Sequence, residues 1–190
     1  MALVKPDLKT FAKIKVLGVG GGGNNAVNTM IQSRQIKGVE FVSNNTDAQV
    51  LLACQADTKL QIGDKLTKGL GSGSDPKIGQ QAAEESKEKL QELLFDSDMI
   101  FITCGMGGGT GTGATPIIAE VAKESGALTV AVVTKPFLFE GTRRMVTAEE
   151  GIENLKGKVD TLIVVPNQRL MDVIDKNLTL IEAFKLADGV

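Results

Sequence analysis

The residues with the plainest chemical potential are glycines and threonines. The run Gly105-Met-Gly-Gly-Gly-Thr-Gly-Thr-Gly113 follows an apolar stretch, residues 99–104, that reads as a buried strand. It precedes a helical pattern over residues 115–123, with Pro116 expected in the first turn, where a missing N–H costs nothing. A strand-to-helix turn of this composition presents bare main-chain N–H groups, hydroxyl donors and a helix N-terminus. Its natural occupant is an anion, and phosphate fits best. The plain alternative is a loose surface loop, but such a loop is not usually set between a buried strand and a regular helix.

A second unit repeats the first. Ile14–Val19 reads as a strand, runs into Gly20-Gly-Gly-Gly-Asn-Asn25, and is followed by a helix with Ala26, Val27, Met30 and Ile31 on one face. Two glycine cradles of this kind suit one ligand with several phosphates.

Composition narrows the rest. A chain of 190 residues, 42% hydrophobic, suits one α/β domain with a sizeable core. Lysine plus arginine number 21 against 23 aspartate plus glutamate, a net charge of −2 that argues against a nucleic-acid binder. Histidine is absent, which excludes Ser/His and Cys/His catalysis and leaves no metal site in view. Cys54 and Cys104 sit in apolar surroundings and read as buried free thiols rather than a disulfide. No stretch is long and apolar enough to span a bilayer, and the N-terminus has no signal-like apolar region, so a soluble, cytoplasmic protein without membrane insertion is expected.

The elements that must position the cradles alternate. Further strands are expected over 39–43, 58–62, 127–134 and 159–165; helices over Ala48–Ala53 with Asp47 as its cap, over 78–94, from Arg143 to about Leu155, and through Leu180, Ile181, Phe184 and Ala187. Residues 69–76 have loop chemistry. Several strands are continuous apolar runs, which predicts burial on both faces. The fold class is α/β: a doubly wound, mainly parallel sheet flanked by helices. Ligands on such sheets bind beyond the carboxyl ends of the strands, so the loops at 20–25, 44–47, 105–113, 134–141 and 166–169 should share one edge.

Gly18-x-Gly20-x-x-Gly23 matches a dinucleotide fingerprint by spacing, with Glu40 or Asp47 near the position of a ribose-binding acid. A nicotinamide-dependent dehydrogenase is therefore one reading, although it leaves the second, richer cradle unexplained. A P-loop is excluded, since neither run carries the Lys-[Ser/Thr] that reaches the terminal phosphates. A non-catalytic nucleotide-sensing module is a third reading.

The run over 107–113 resembles the signature of the tubulin/FtsZ superfamily. The FtsZ side is favoured by the loops at 20–25, 45–47, 69–71, 139–141 and 166–167 and by the closing Phe184…Asp188. The resemblance covers essentially the whole chain and implies a polymerising cell-division GTPase. It implies that Gly21, Gly22, Gly23, Asn24 and Asn25 lie along the α- and β-phosphates, with Asn45 and Thr46 beside them. Gly105, Gly108, Gly109, Thr110, Gly111 and Thr112 would bind phosphate through N–H and hydroxyl groups. Gly71, Ser72 and Gly73 would sense the γ-phosphate. Thr134, Pro136 and Glu140 would line the ribose, with Arg144 near the sugar and α-phosphate. Asn167 and Asp188 would read guanine, and Phe184 would stack on it. Chemistry agrees at one point: a carboxylate accepts from both N1–H and the 2-amino group of guanine, a pair that adenine lacks.

Each of these residues also has an ordinary reading. Phe184 is more often core, Asp188 a surface acid, Glu140 and Arg144 a charge pair at a helix start, and Asn167 a cap after Pro166. The sequence departs from the family pattern at Ser72, Ser74 and Asp75, where Asp75 would bring a negative charge near the γ-phosphate, and at Gln168 and Cys104.

The resemblance further implies GTP or GDP with Mg²⁺ held mainly by phosphate, head-to-tail self-assembly, other division proteins as partners, and a place at the mid-cell division site. It divides the chain into a lead over 1–12, a GTP-binding domain over 13–178 and the start of a central helix over 179–190, with the C-terminal domain absent. The water-activating acidic loop of the family follows that helix. No catalytic residue is therefore expected within these residues, and alone they should bind GTP, hydrolyse it poorly and cap filaments.

Overall fold

The computed structural model describes residues 12–173 and 179–189. Of the expected lead only Ala12 falls within them, and the last residues assigned to the GTP-binding domain, 174–178, lie outside.

Among the described residues one six-stranded sheet forms the centre. Its strands are β1 (Ile14–Val19), β2 (Val39–Asn45), β3 (Thr58–Gln61), β4 (Met99–Gly105), β5 (Leu128–Lys135) and β6 (Thr161–Pro166), in the order β3-β2-β1-β4-β5-β6. Every neighbouring pair is parallel. The order reverses at β1 and β4, the two strands that carry the glycine cradles, so the cradles meet at the switch point where such sheets bind ligands.

The helices are α1 (Gly20–Ser33), α2 (Ala48–Ala53), α3 (Asp64–Thr67), α4 (Pro76–Glu85), α5 (Lys87–Leu94), α6 (Thr110–Glu124), α7 (Thr142–Leu155), α8 (Asn167–Val173) and α9 (Leu180–Asp188). Period-two alternation sorts the strand residues between two layers. Leu17, Val19, Ile100, Ile102, Ala131 and Val133 pack with Leu90, Leu94, Ile118 and Leu155 in the larger layer. Val16 and Phe41 face the other side and meet Val27 of α1. Gly18 lies on that second side as well: a Cβ there would come within 2.4 Å of the Gly23 carbonyl oxygen, so α1 reaches the sheet only because both residues are glycine.

Several expectations need correction. The first glycine run lies wholly within α1, which starts at Gly20, and the last four residues of the second run, 110–113, form the first turn of α6. Pro116 therefore lies inside α6, not in its first turn, and the carbonyl of Thr112 lacks its usual i+4 donor. The pattern over 78–94 breaks into α4 and α5 at Ser86, whose hydroxyl turns away to accept from the Gly63 N–H at 2.9 Å. Residues 167–169 open α8 rather than forming a loop. Full two-sided burial fails for β5 and β6: Leu128 and Ile163 are 48% and 47% exposed, since α6 and α7 cover one face of these strands and no described helix covers the other to the same extent. Asp47 caps α2 as expected, its Oδ1 accepting from Gln49 N and Val50 N at 2.9 and 3.1 Å.

Candidate functional site

A cavity of about 870 Å³ includes the carboxyl edge of the sheet and extends along the face that carries Val16 and Phe101 as far as Ile14 and Val39, at the amino ends of β1 and β2. All five expected loops reach it, through Gly21, Asn45, Gly108, Thr134 and Asn167 among others. The sequence-predicted residues line it, except for Gly23, Asn24, Thr46 and Thr112.

Those four support the lining from behind. A Cβ on Gly23 would come within 2.3 Å of the Thr103 carbonyl oxygen, so this glycine lets α1 pack on β4. Asn24 is fully buried; with its amide turned to suit its surroundings, the nitrogen donates to the carbonyls of Gly18, Gly20 and Asn44 at 3.1, 2.6 and 3.2 Å. Thr46 shares a 2.7 Å hydroxyl–hydroxyl bond with Thr110. The Thr112 hydroxyl accepts from the Gly107 N–H at 2.9 Å, which fixes the bend that carries Gly108. Thr112→Val should therefore lower stability by about 1–2 kcal/mol, through a buried N–H left without an acceptor, as urea unfolding would show.

The cradles themselves abut. A Cβ on Gly20 would lie 2.8 Å from Gly111 N, and one on Gly22 3.2 Å from Gly105 Cα. On Gly21 or Gly108, by contrast, a Cβ would meet nothing within 4 Å: their open sides face the cavity. Both α1 and α6 begin at this edge, and first-turn N–H groups have no partner within their own helix, a setting for anionic oxygens.

The opposite end has different chemistry. Asn167, at the end of β6, is 5% exposed and its Oδ1 has no partner among the described residues, so it does not cap α8; a buried acceptor in that condition fits a ligand donor. Asp188 is half-buried and its carboxyl is pushed above the usual aspartate range by that burial. Phe184 is 42% exposed and meets Phe137 and Phe139 edge-on at 5.5 and 6.0 Å, which leaves ring surface on the cavity. It is thus not a core residue. At ordinary strand spacing the ends of β6 and β1 lie roughly 14 Å apart, about the reach of an extended nucleoside triphosphate.

Between the two ends, Glu140 uses both carboxylate oxygens. One accepts from the Phe137 N–H at 2.9 Å and the other from Arg144 at 2.6 Å. The charge-pair reading of these residues holds, and both still line the cavity. Asp75 does not line it; its carboxylate caps α4 by accepting from Lys77 N at 2.9 Å. Gln168 accepts from the Leu138 N–H at 3.2 Å. Cys54 and Cys104 are buried free thiols, and burial pushes the Cys104 thiol up to about 12. Cys104 should stay unmodified by an aqueous thiol reagent in mildly alkaline buffer until the protein is unfolded, as mass spectrometry would show.

Met106 and Ala187 also line the cavity. Sequence reasoning missed them, since an apolar side chain carries no chemical signal; only Met106's place in a post-strand loop pointed to it. Among the described residues no group of three or more His, Cys, Asp or Glu can hold a metal, and no helix is long and apolar enough to cross a membrane.

The dinucleotide reading loses its acid. Glu40 lies near the start of β2, paired in register with Lys15 and accepting from the Thr58 hydroxyl at 2.9 Å, far from the carboxyl edge. Asp47 does line the cavity, but its Oδ1 is engaged in the cap of α2.

Fold and cavity together define a doubly wound α/β domain with two glycine turns at its switch point. The family model described as Tubulin/FtsZ family, GTPase domain, matches residues 13–175, and this chain belongs to that family of GTPases. Solved structures agree. An FtsZ dimer of M. jannaschii is 53% identical, with a TM-score of 0.91, covering 95% of this chain and 52% of that one. CetZ of Methanosaeta thermophila is 26% identical, with a TM-score of 0.76, covering 94% and 51%. The GTPγS-bound protofilament of CetZ2 from Haloferax volcanii is 21% identical, with a TM-score of 0.82 and coverage of 93% and 55%, a likeness of fold. The chain thus spans about half the length of these solved chains.

Proposed function

We propose that this chain binds GTP and GDP at the cavity, as the nucleotide-binding part of a GTPase that assembles head to tail in cell division. The observation that carries the reading is one cavity with unlike ends. Asn167, Asp188 and Phe184 offer acceptors and an aromatic face for guanine, and the turns at Gly21 and Gly108 offer N–H groups for phosphate. Glu140 and Arg144 stand between them, where ribose and α-phosphate would pass. Mg²⁺ would be held by phosphate oxygens and water rather than by a protein cluster.

Self-assembly is the proposed partner chemistry, with further division proteins as additional partners and the cytoplasmic mid-cell site as the location. The proposal draws on membership of the family and on the dimer and protofilament among the similar structures. Within the 190 residues the proposed organisation remains a GTP-binding domain to about residue 178 and the start of a central helix after it. Taken alone, these residues should bind GTP, release phosphate slowly, and cap growing filaments of a complete homologue. Light scattering that showed unaided polymerisation with GTP would contradict the capping role.

Nucleotide released from the purified protein by denaturation should elute with GDP or GTP. Release of NAD or of an adenine nucleotide instead would contradict the assignment. Acidity offers a second check. Guanine needs the ionised Asp188, whose carboxyl protonates above the ordinary aspartate range, so GTP affinity should fall on acidification at a pH where normal aspartates are still charged. The sign for stability is opposite. A folded-state value raised above the unfolded one gives a contribution fully present below the unfolded value and lost as pH rises through the folded one. Asp188→Ala should therefore lose nucleotide affinity while the unliganded fold gains slightly at neutral pH, measurable by titration calorimetry and urea unfolding.

A further inference from the structure

Asn24 stands behind the first glycine turn, fully buried and outside the cavity lining. Of the three carbonyls its nitrogen meets, that of Gly20 is nearest, at 2.6 Å. In a trans peptide the carbonyl of one residue and the N–H of the next point opposite ways. A Gly20 carbonyl turned inward to Asn24 therefore sets the Gly21 N–H outward. Gly21 lines the cavity, and its outer side is open. Gly20 has φ +71°, a region open to glycine and costly for other residues. A peptide next to so free a residue keeps one orientation only if something holds it, and the Asn24 amide is placed to do so.

The amide needs its own support. With its nitrogen on the carbonyls, the Asn24 oxygen faces the buried Cys54 sulfur at 3.2 Å, and no other donor to it is found among the described residues. Oxygen against sulfur at that distance is favourable only with the thiol proton between them. The Val50 carbonyl also lies 3.3 Å from the sulfur, but in a part-buried setting where water can serve it. A second tie seats this end of α2: the Gln55 N–H donates at 2.8 Å to Oδ1 of Asn28, one turn further along α1. We infer that Asn24, its amide oriented by the Cys54 thiol, is a positioning residue that keeps the Gly21 N–H on the cavity side for a phosphate oxygen; this rests on the proposed guanine-nucleotide site. Neither side chain touches the ligand. Without the thiol the Asn24 oxygen is buried with no donor, and the reversed amide sets that oxygen against the Gly18 and Gly20 carbonyls, acceptor to acceptor. Either way the hold on the Gly20–Gly21 peptide is lost. GDP and GTP both bring phosphate to this turn and guanosine brings none, so the effect belongs to the phosphates and not to the base.

The test is calorimetric titration of the 190-residue chain with Mg²⁺-GDP, Mg²⁺-GTPγS and guanosine. Cys54→Ala should weaken both nucleotides alike, by about three- to tenfold, and leave guanosine within about twofold. Cys54→Ser keeps a donor of similar shape and should hold GDP within about twofold of wild type. An equal loss for guanosine would make the pair a general support of the fold and overturn the inference. Undiminished GDP affinity in Cys54→Ala would overturn it too, as would a serine variant no better than the alanine one. Should the alanine variant not fold, hydrogen exchange in the wild-type chain decides. The Asn24 side-chain N–H₂ should then be protected like core amides, and exchange as fast as that of the exposed Asn25 would overturn the inference. A wild-type chain that bound neither guanine nucleotides nor guanosine would instead overturn the guanine-nucleotide reading, and this inference with it.

Discussion

Asp188→Asn should exchange guanine for xanthine. The carboxylate can accept two hydrogen bonds side by side, from N1–H and from the 2-amino group of guanine. Asparagine keeps one acceptor and replaces the other with an N–H₂, which would face the 2-amino group donor to donor. Asp188 is half-buried, so water does not freely repair the mismatch. A site built to pair a ligand polar group discriminates strongly against a partner that leaves its own groups unpaired, so GTP affinity should fall about 10²–10³-fold. Xanthine carries an oxygen where guanine carries the amino group, and the asparagine N–H₂ can donate to it. XTP should accordingly bind the variant better than GTP does, reversing the wild-type order. Competition titrations with both nucleotides measure this, and an unchanged preference for GTP would remove Asp188 from the base site. Because Asp188 caps no described element and the change is isosteric, the fold should be unaffected.

The second large effect separates glycines that look alike in sequence. Gly113 lies on α6 where α4 crosses it, and a Cβ there would stand 1.9 Å from the Pro76 carbonyl oxygen and 2.7 Å from Gln80 N. Both are backbone atoms, so no side chain can swing aside and the helices must separate. Gly113→Ala should cost at least about 3 kcal/mol, which for a chain of this size lowers Tm by roughly 6–12 °C. At Gly108 a Cβ meets nothing within 4 Å, so Gly108→Ala should leave stability within about 0.5 kcal/mol. Its new methyl group enters the cavity where phosphate is proposed, so nucleotide affinity should fall by about tenfold or more. Thermal melts and titrations of the two variants should thus give opposite patterns. A Gly108→Ala protein with full nucleotide affinity would move the phosphate path away from the α6 turn.

That contrast shows where sequence reasoning reached its limit. The two cradles were legible because almost nothing but a close approach or an anion explains runs such as 20–23 and 107–113. The parallel α/β class was legible from the alternation of apolar runs with helical patterns. Which glycine faces ligand and which faces a neighbouring helix was not, because the answer for Gly23 and Gly113 lies in Thr103 and Pro76, distant in sequence. Pro116 misled for a related reason: proline's preference for a first turn is strong locally, yet the helix begins earlier because the preceding glycines pack as helix wall. The apolar run of β6 suggested two covered faces, while Ile163 shows that an apolar face can be formed without a described helix lying fully across it. Asn167 was legible only as an alternative, cap or reader, until its oxygen proved unpartnered. Thr46, Thr110 and Ser72 were each named as phosphate neighbours, but the hydroxyl bonds that join them, at 2.7 and 3.1 Å, had no sequence signal.

The central claim is that this cavity holds a guanine nucleotide, gripped at its base by Asn167 and Asp188 and at its phosphates by two glycine turns. Thermal unfolding in parallel with GTP, GDP, ATP and NADH tests it most directly. Saturating GTP or GDP, at about a hundred times Kd, should add roughly 2.7 kcal/mol of stability and raise Tm by roughly 5–10 °C, while equal concentrations of ATP and NADH leave it within a degree or so. Protection by NADH or ATP with none from either guanine nucleotide would contradict the account.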